Sequence, residues 1–438
     1  MTSIHHTPKD FASIIYGSVV KNSKSKSLAL ETIEEIVDTV FWTSLQKEEA
    51  EFHLFSIIIT TSKKVDVEPP QRIRYDRWQF IPFAESIELK PHNLTKLGAA
   101  ASSESALIVV YAPSNRPPMI IGLIDQQLAY YRSARHDTSG SIYSVPLGLV
   151  IKILGRGQLI ASYNDELLAE LRGGDVLHDL PDVFDGGPIY TVLKPGFENL
   201  LKEIYCDLSD AKGYKTFCIQ ELKDLWASTF KRLLCQIREM KHGGTILVSF
   251  PTAKVQNTCK IKYKVDFKRL HIAMVKQIVH KYENDLFENI IMNEYIDKEK
   301  ELLPVVLYLD EAIAQSDSED ANAAIAGSIK FVSTLSKHDG TVLMTPDFSV
   351  YGFGVEITTN ETPKKIVSVK KSRGSVRKAK PIDPERFGTR HRSSMRFCWA
   401  NPGSVAFVIS QDGGVRAITR LNEKVVMWED IKLLGKYY

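Results

Sequence analysis

The sequence has few cysteines, no long apolar run and little net charge, and each absence excludes a class of protein. Its five cysteines are scattered without a Cys-x-x-Cys spacing, which argues against a zinc site or a disulfide framework and favours a reducing compartment. The apolar runs, such as residues 147–154, are far shorter than the roughly 20 residues of a membrane helix. No basic segment followed by an apolar one stands at the N-terminus, so we expect a cytoplasmic protein without a membrane partner.

The composition is that of a folded protein with more than one domain. Hydrophobic residues make up 44% and charged residues 25%, and the net charge is +3, which disfavours a disordered chain and a globally basic nucleic-acid protein. A chain of 438 residues exceeds one ordinary hydrophobic core. Asp, Gly and Pro residues cluster between Leu180 and Phe197, which predicts an N-terminal domain over residues 1–190 and a C-terminal domain over residues 197–438.

Both halves mix helical and strand patterns, which predicts an α/β fold. Apolar residues recur at helical spacing over residues 28–45, and helical patterns in the second half cover residues 197–205, 220–240, 265–296 and 321–337. Strand-like runs occur at residues 52–60, 106–111, 119–124, 147–154, 158–162 and 245–250.

Two pairs of segments, one member in each half, have similar patterns. Residues 147–176 read as strand, Gly-rich turn and strand, and residues 405–431 repeat that order. Residues 105–111 similarly echo residues 244–250. The N-terminal domain is therefore either an independent α/β fold or a degenerate duplicate of the C-terminal domain.

Three polar segments near the C-terminus lie where one predicted secondary-structure element ends and the next begins. His338-Asp339-Gly340-Thr341 follows a helical pattern, and Gly388-Thr389-Arg390-His391-Arg392-Ser393 opens the helical pattern that runs to Trp399. The third segment, Ser410-Gln411-Asp412, follows a strand-like run. Loops at the ends of elements are where catalytic and binding groups concentrate.

The residue types in these segments suit a triphosphate ligand. Gly388 lets a ligand approach the backbone, the Thr389 hydroxyl and the helix amides can donate to phosphate oxygens, and Arg390 or Arg392 can neutralise them. Ser410 offers one more donor. The His338-Asp339 pair could hold a divalent cation, and its carboxylate could assist a ribose hydroxyl. Taken singly, each segment also fits a capped turn or a surface ion pair.

In their order, the three segments resemble the diadenylate cyclase (DAC) domain of bacterial cyclic di-AMP synthases. The resemblance covers about residues 220–431 and includes the Gly-Gly-Thr-Ile-Leu-Val segment at 243–248. It implies a mixed central sheet flanked by helices and a nucleotidyltransferase that uses Mg²⁺ or Mn²⁺. Two ATP molecules would meet between two DAC domains and condense to cyclic di-AMP, or to a related cyclic dinucleotide, with release of pyrophosphate, so a homo-oligomer is expected. Residues 1–190 would then be a sensor or regulatory domain.

The resemblance also implies a role for each matching residue. Asp339 would lie beside the attacking hydroxyl, and His391 and Arg392 would brace the phosphate loop. The expected catalytic residues are Asp339, Arg390 and His391, and the expected metal ligands are His338, Asp339 and Asp412. The expected nucleotide-binding residues are Gly340, Thr341, Gly388, Thr389, Arg390, Arg392 and Ser410.

The sequence departs from the DAC pattern in three places. Thr341 stands where the family has alanine, and Gln411 stands where it has a glutamate, so only Asp412 could supply a carboxylate there. A catalytically inactive nucleotide sensor is therefore the alternative function. The third departure is an insertion over residues 358–387.

The insertion is strongly basic. It contains eight Lys or Arg residues and no acid between Lys364 and Lys380. A solvated loop is one interpretation, and an arm that attracts the phosphates of the bound nucleotide or of a nucleic acid is the other. Because it has few aromatic residues, stacking on single-stranded nucleic acid is not supported.

Overall fold

The structure of the protein, a computed structural model, describes most of the chain. The described residues are 6–22, 28–48, 51–63, 65, 79–101, 106–125, 148–164, 166–208, 214–298, 303–338, 341–369 and 379–433. The chain divides into two compact units, one of residues 1–179 with 434–438 and one of residues 180–433. Residues 180–190, which the sequence places in the N-terminal domain, thus belong to the second unit. Each unit has one mixed sheet flanked by helices, which confirms the predicted fold class.

The first unit contains an eight-stranded sheet in the order β2-β4-β3-β1-β5-β6-β7-β8. Its strands are β1 Ser56–Thr60, β2 Gln79–Glu88, β3 Ala106–Tyr111, β4 Met119–Asp125, β5 Leu149–Gly155, β6 Gln158–Tyr163, β7 Glu166–Arg172 and β8 Asp175–His178. Its described helices are α1 Pro8–Asn22, α2 Leu30–Ser44 and α3 Pro91–Ala100. The predicted helix over residues 28–45 is confirmed as α2, because its apolar residues, such as Ile33 and Ile36, are buried in the core of this unit.

The second unit contains a nine-stranded sheet in the order β10-β12-β11-β9-β15-β16-β17-β13-β14. Its strands are β9 Gly244–Val248, β10 Cys259–Phe267, β11 Thr341–Met344, β12 Val350–Ile357, β13 Ile366–Val369, β14 Lys380–Pro381, β15 Val405–Ile409, β16 Val415–Leu421 and β17 Lys424–Trp428. Its α-helices are α4 Gly187–Asp207, α5 Tyr214–Glu239, α6 Ala253–Thr258, α7 Arg269–Ile290, α8 Val305–Leu335 and α9 Thr389–Ala400. A π-helical segment, Ile291–Ile296, continues α7, and a 3-10 turn, Pro384–Arg386, precedes α9.

Helix α4 begins at Gly187, ahead of the predicted start at residue 197. The Pro195-Gly196 pair, which is typical of a loop, lies inside this helix. A Cβ atom added to Gly196 would lie 2.3 Å from the backbone carbonyl carbon of Pro346. The glycine is therefore needed for close helix packing against the turn after β11, and this tertiary contact overrides the local loop signal.

The basic insertion is partly built into the sheet. Strand β13 runs parallel to β17 and buries Ile366, Val367 and Val369, and β14 pairs with β13. The apolar residues between its lysines therefore extend the core of the second unit. Residues 370–378, which carry five of the eight basic side chains, lie outside the described residues.

The two sheets share one strand order. The run β2-β4-β3-β1-β5-β6-β7 in the first sheet corresponds to β10-β12-β11-β9-β15-β16-β17 in the second. In each run one central pair is parallel, β1 with β3 and β9 with β11, and the other neighbours are antiparallel. This repetition favours the degenerate duplicate over an independent fold. The predicted correspondence of residues 105–111 with residues 244–250 is wrong. Residues 106–111 form β3, which has the position of β11, and the counterpart of β9 is β1.

The described helices are too short or too polar to cross a bilayer. Even the long α8 includes the acidic segment around Asp317 and Asp320, so none of the helices in the described ranges qualifies as a membrane span.

Candidate nucleotide-binding site

The topology brings the three polar segments to one edge of the second sheet. Strands β9 and β11 are parallel and begin at this edge, and β15 is antiparallel to β9, so its last residue Ile409 lies opposite Gly244. The segments before β11 and after β15 therefore lie at the same edge. The sequence alone could not establish this proximity, because about 70 residues separate the first segment from the third.

Helix α9 also begins at this edge. Arg390 Nη1 donates a hydrogen bond of 3.4 Å to the carbonyl oxygen of His242, which precedes β9. A Cβ atom added to Gly243 would lie 2.8 Å from Arg390 Nη1 and 3.4 Å from the backbone nitrogen of Gln411. The segment that begins at Gly388 and the Ser410-Gln411-Asp412 segment are thus neighbours.

The amino end of α9 is open to a ligand. Gly388 is the N-cap residue in an extended conformation, and no side chain caps the helix. The space beside the Gly388 Cα is empty, and the side chains of Thr389 and Arg390 are exposed. Amides in the first turn of a helix have no partner within it, and together with the helix dipole they favour an anion.

Arg416 contacts residues of the candidate site and was not predicted from the sequence. It lies on β16, and its Nη1 donates to Ser410 Oγ at 2.8 Å and to His391 Nε2 at 3.2 Å. Its guanidinium lies 5.7 Å from the centroid of the Phe387 ring. Arg416 therefore connects the segment after β15 to α9 and to the turn before it. The available sequence signal was one arginine between the apolar residues Val415 and Ala417 of a strand-like run.

His391 is a neutral acceptor in this arrangement. Burial lowers the pKa of His391 to about 4, with a further lowering by Arg416 and Arg390 that Asp412 opposes. Because arginine can only donate, Nε2 accepts and the ring proton lies on Nδ1. His391 Nε2 accepts from the Arg416 guanidinium, and the His391 ring lies 5.4 Å from that of Phe387 between centroids. These are contacts of the kind that the predicted bracing role requires.

Arg392 and Ser410 are held by different contacts within the protein. Arg392 pairs with Glu385 at 2.6 Å, which ties α9 to the preceding turn. The backbone of Ser410 closes the turn after β15, donating to the carbonyl of Gly414 at 2.9 Å. Since Ser410 Oγ accepts from Arg416, its own proton remains available to a further acceptor.

The predicted metal site stays a prediction, because its ligand Asp339 lies outside the described residues. Asp412 Oδ1 accepts from the backbone nitrogen of Gly414 at 3.1 Å, and a Cβ atom added to Gly414 would lie 3.4 Å from both this oxygen and Arg416 Nη1. Asp430 Oδ1 lies at the same 3.4 Å distance, so the Arg416 guanidinium and two carboxylates border the space beside Gly414. Within the described ranges no group of three His, Cys, Asp or Glu side chains is placed to hold a metal ion.

The first segment is described only at its two ends. His338 packs its ring edge-on against Tyr263, at 5.1 Å between centroids, and Phe353, at 5.9 Å. Thr341 is buried at the start of β11, and its hydroxyl donates to the carbonyl of Val355 at 3.3 Å. Asp339 and Gly340, predicted for catalysis and nucleotide binding, lie outside the described residues.

The rings beside His338 form an aromatic surface that was not predicted. Tyr263 on β10 and Phe353 on β12 stack at 4.8 Å with an angle of 20° between their planes. The Tyr263 ring is 39% exposed, so one aromatic face is accessible near the start of β11. A flat, partly exposed ring is a suitable surface for a nucleobase.

Comparison with known proteins bears on the first unit. Residues 24–125 match the model of a family described as "Probable sensor domain DACNV". This part of the first unit is thus similar to a family described as a probable sensor domain, and the match covers 102 of the 438 residues. No curated protein and no solved structure matches the chain.

Proposed function

We propose that the second unit binds a nucleoside triphosphate at the edge where α9 begins, in the manner of the DAC domain that its motifs resemble. The observation that carries this proposal is that two arginines from different elements, Arg390 and Arg416, lie beside the turn after β15 and the uncapped end of α9. A triphosphate carries several negative charges, and guanidinium groups with helix amides are the groups that bind phosphates in proteins.

The two arginines would act differently. Arg390 is exposed and holds the His242 carbonyl at the long distance of 3.4 Å, so a phosphate oxygen can replace that carbonyl as its acceptor. Arg416 is held by His391 and Ser410 and keeps its position before a ligand arrives. The site is therefore partly preorganised, which lowers the entropic cost of binding.

The second candidate function is diadenylate cyclase activity. It is supported by the order of the three segments and by the sensor-domain match in the first unit. The 3'-hydroxyl of each ATP would attack the α-phosphate of the other, so two copies of the second unit must meet and the active form would be a homo-oligomer. Mg²⁺ or Mn²⁺ remain the expected cofactors of such an enzyme, and no step is assigned to the ion.

One experiment separates the two candidates. The protein is incubated with ATP and Mg²⁺ or Mn²⁺, the products are analysed by mass spectrometry, and ATP binding is measured in parallel by calorimetry. Cyclic di-AMP that disappears in Asp339→Asn would establish the cyclase. ATP binding without product, weakened by Thr389→Ala and by Arg390→Ala, would establish the inactive sensor. Absence of ATP binding would refute both.

A further inference from the structure

The consecutive helices α7 and α8 of the second unit pack against each other, and the end of this hairpin lies outside the hydrophobic core. The buried residues of α7 end at Val279, and those of α8 begin at Ala314. Among the described residues between them, 280–298 and 303–313, none is buried. We call these two ranges the hairpin arm.

The hairpin arm exposes much apolar surface. It carries eight of the sixteen exposed large apolar residues in the described part of the chain. They are Leu286, Met292, Ile296, Val305, Val306, Tyr308, Leu309 and Ile313. Single apolar residues scattered over a surface are normal, but such a concentration in two adjacent segments is typical of an interaction site.

The first half of α8 is apolar on two sides. Ala314, Ala321 and Ile325 follow at helical spacing and are buried within the second unit. Val305, Leu309 and Ile313 recur every four residues and are more than half exposed, so they lie along a second side, about 140° around the helix from the first. A helix with apolar residues on two sides is normally covered on both. The unit itself covers only one of them.

The charge of this region limits what can cover the second side. Residues 280–313 contain nine Asp or Glu residues, three Lys residues and no Arg. A nucleic acid or the anionic surface of a membrane would be repelled by this negative charge. A protein partner is therefore favoured.

A second copy of the hairpin arm meets the geometric requirements. In a two-fold symmetric dimer the same surface serves both partners, and two helical hairpins that pack together form a four-helix bundle. The eight exposed residues present on the order of 800 Å², about the area that each partner contributes to a standard interface. Helices without tertiary packing are marginal in water, so pairing would also stabilise the arm.

The hairpin arm is far from the candidate nucleotide site. A Cβ atom added to Gly244, at the edge of that site, would lie 3.0 Å from the Oγ of Ser336, which follows the last residue of α8. Ile313 precedes Ser336 by 23 residues along this helix, so roughly 35 Å separates them at 1.5 Å per residue. Contact through the arm therefore differs from the face-to-face meeting of two nucleotide sites that a cyclase requires.

We propose that the hairpin arm is a homodimer interface in which two copies form a four-helix bundle with Val305, Leu309 and Ile313 in its core. The proposal does not depend on nucleotide binding by the second unit. It assigns the dimer contact to a surface that the motifs of the candidate site do not include.

The test measures the mass of the full chain without nucleotide by sedimentation equilibrium over a range of protein concentrations. We expect a dimer, and Leu309→Glu and Ile313→Glu should each raise its dissociation constant about tenfold or more, because each places a charge in the apolar contact. Both side chains are exposed, so circular dichroism and melting temperature should stay at the wild-type values. Ile272→Glu is the matched control, because Ile272 is an exposed isoleucine of α7 outside the arm.

Salt provides a second measurement. Two acidic arms repel each other, and salt screens this repulsion while the apolar contact remains. The dimer should therefore become tighter as the NaCl concentration rises. A dimer that weakens with salt would depend on ion pairs and would contradict the apolar contact.

The remaining results also decide the question. A chain that stays monomeric at every concentration overturns the proposal, and this is the result expected if a different protein covers the arm. A dimer that Leu309→Glu and Ile313→Glu leave intact, or that Ile272→Glu weakens equally, overturns it as well. Absence of ATP binding in a chain that dimerises through the arm contradicts only the function proposed for the nucleotide site.

Discussion

Replacing Arg416 by methionine tests how the candidate site is built. The substitution keeps much of the side-chain volume and removes two charge-assisted hydrogen bonds, at 2.8 Å to Ser410 Oγ and at 3.2 Å to His391 Nε2. Hydrogen bonds to charged groups contribute roughly 1.5–3 kcal/mol, and a buried acceptor left without a donor costs about 1–3 kcal/mol. His391 is 9% exposed, so its nitrogen would be such an acceptor.

Three results are expected for Arg416→Met. The free energy of unfolding, measured by chemical denaturation, should fall by about 1–3 kcal/mol. The affinity for ATP, measured by calorimetry, should fall by at least about tenfold. The pKa of His391 should rise, because Arg416 is one of the groups that lower it. Histidine resonances followed against pH by NMR would report this rise.

Arg420→Met is the matched control. Arg420 lies on the same strand, donates to the carbonyl of Trp399 at 2.7 Å and stacks 4.0 Å from the Trp399 ring centroid. Its loss should lower stability to a similar extent but leave ATP affinity and the His391 titration unchanged. Equal losses of ATP affinity in both variants would show that Arg416 acts only through stability, and the assignment of Arg416 to the site would then be wrong.

Three further predictions concern pH, the loop glycines and the insertion. The pKa of His391 is about 4 in the folded protein, so on acidification the unfolded chain binds the proton first. The free energy of unfolding should therefore fall by about 2 kcal/mol from pH 7 to pH 5. Denaturation curves should show this loss in the wild type and not in His391→Gln. Gly243→Ala should lower both stability and ATP affinity, since φ is +72° and the new Cβ would lie 2.9 Å from the Ile409 carbonyl oxygen, whereas Gly388→Ala should leave melting temperature unchanged. If the insertion binds nucleic acid, Lys364→Glu with Lys365→Glu should reduce the salt dependence of that affinity in fluorescence anisotropy, and a wild-type level of binding in this variant would count against it.

The elements that the sequence predicted well are those whose pattern is local. The helix α2 and the buried strands β1, β3 and β9 follow from apolar spacing, which reflects burial directly. The start of α4 was missed because Pro195 and Gly196 favour a loop in isolation, and only the contact of Gly196 with Pro346 explains their place in a helix.

The candidate site shows the same division. The residues proposed for its chemistry, from the Gly-Thr-Arg-His-Arg segment to Ser410, were named from the sequence alone, because residue type and order along the chain are enough for such a prediction. Only the tertiary structure decided that Arg416 contacts Ser410 and His391, and that His391 is a neutral acceptor. Proximity across strands, burial and the resulting pKa shift arise from packing, and a linear pattern does not contain them.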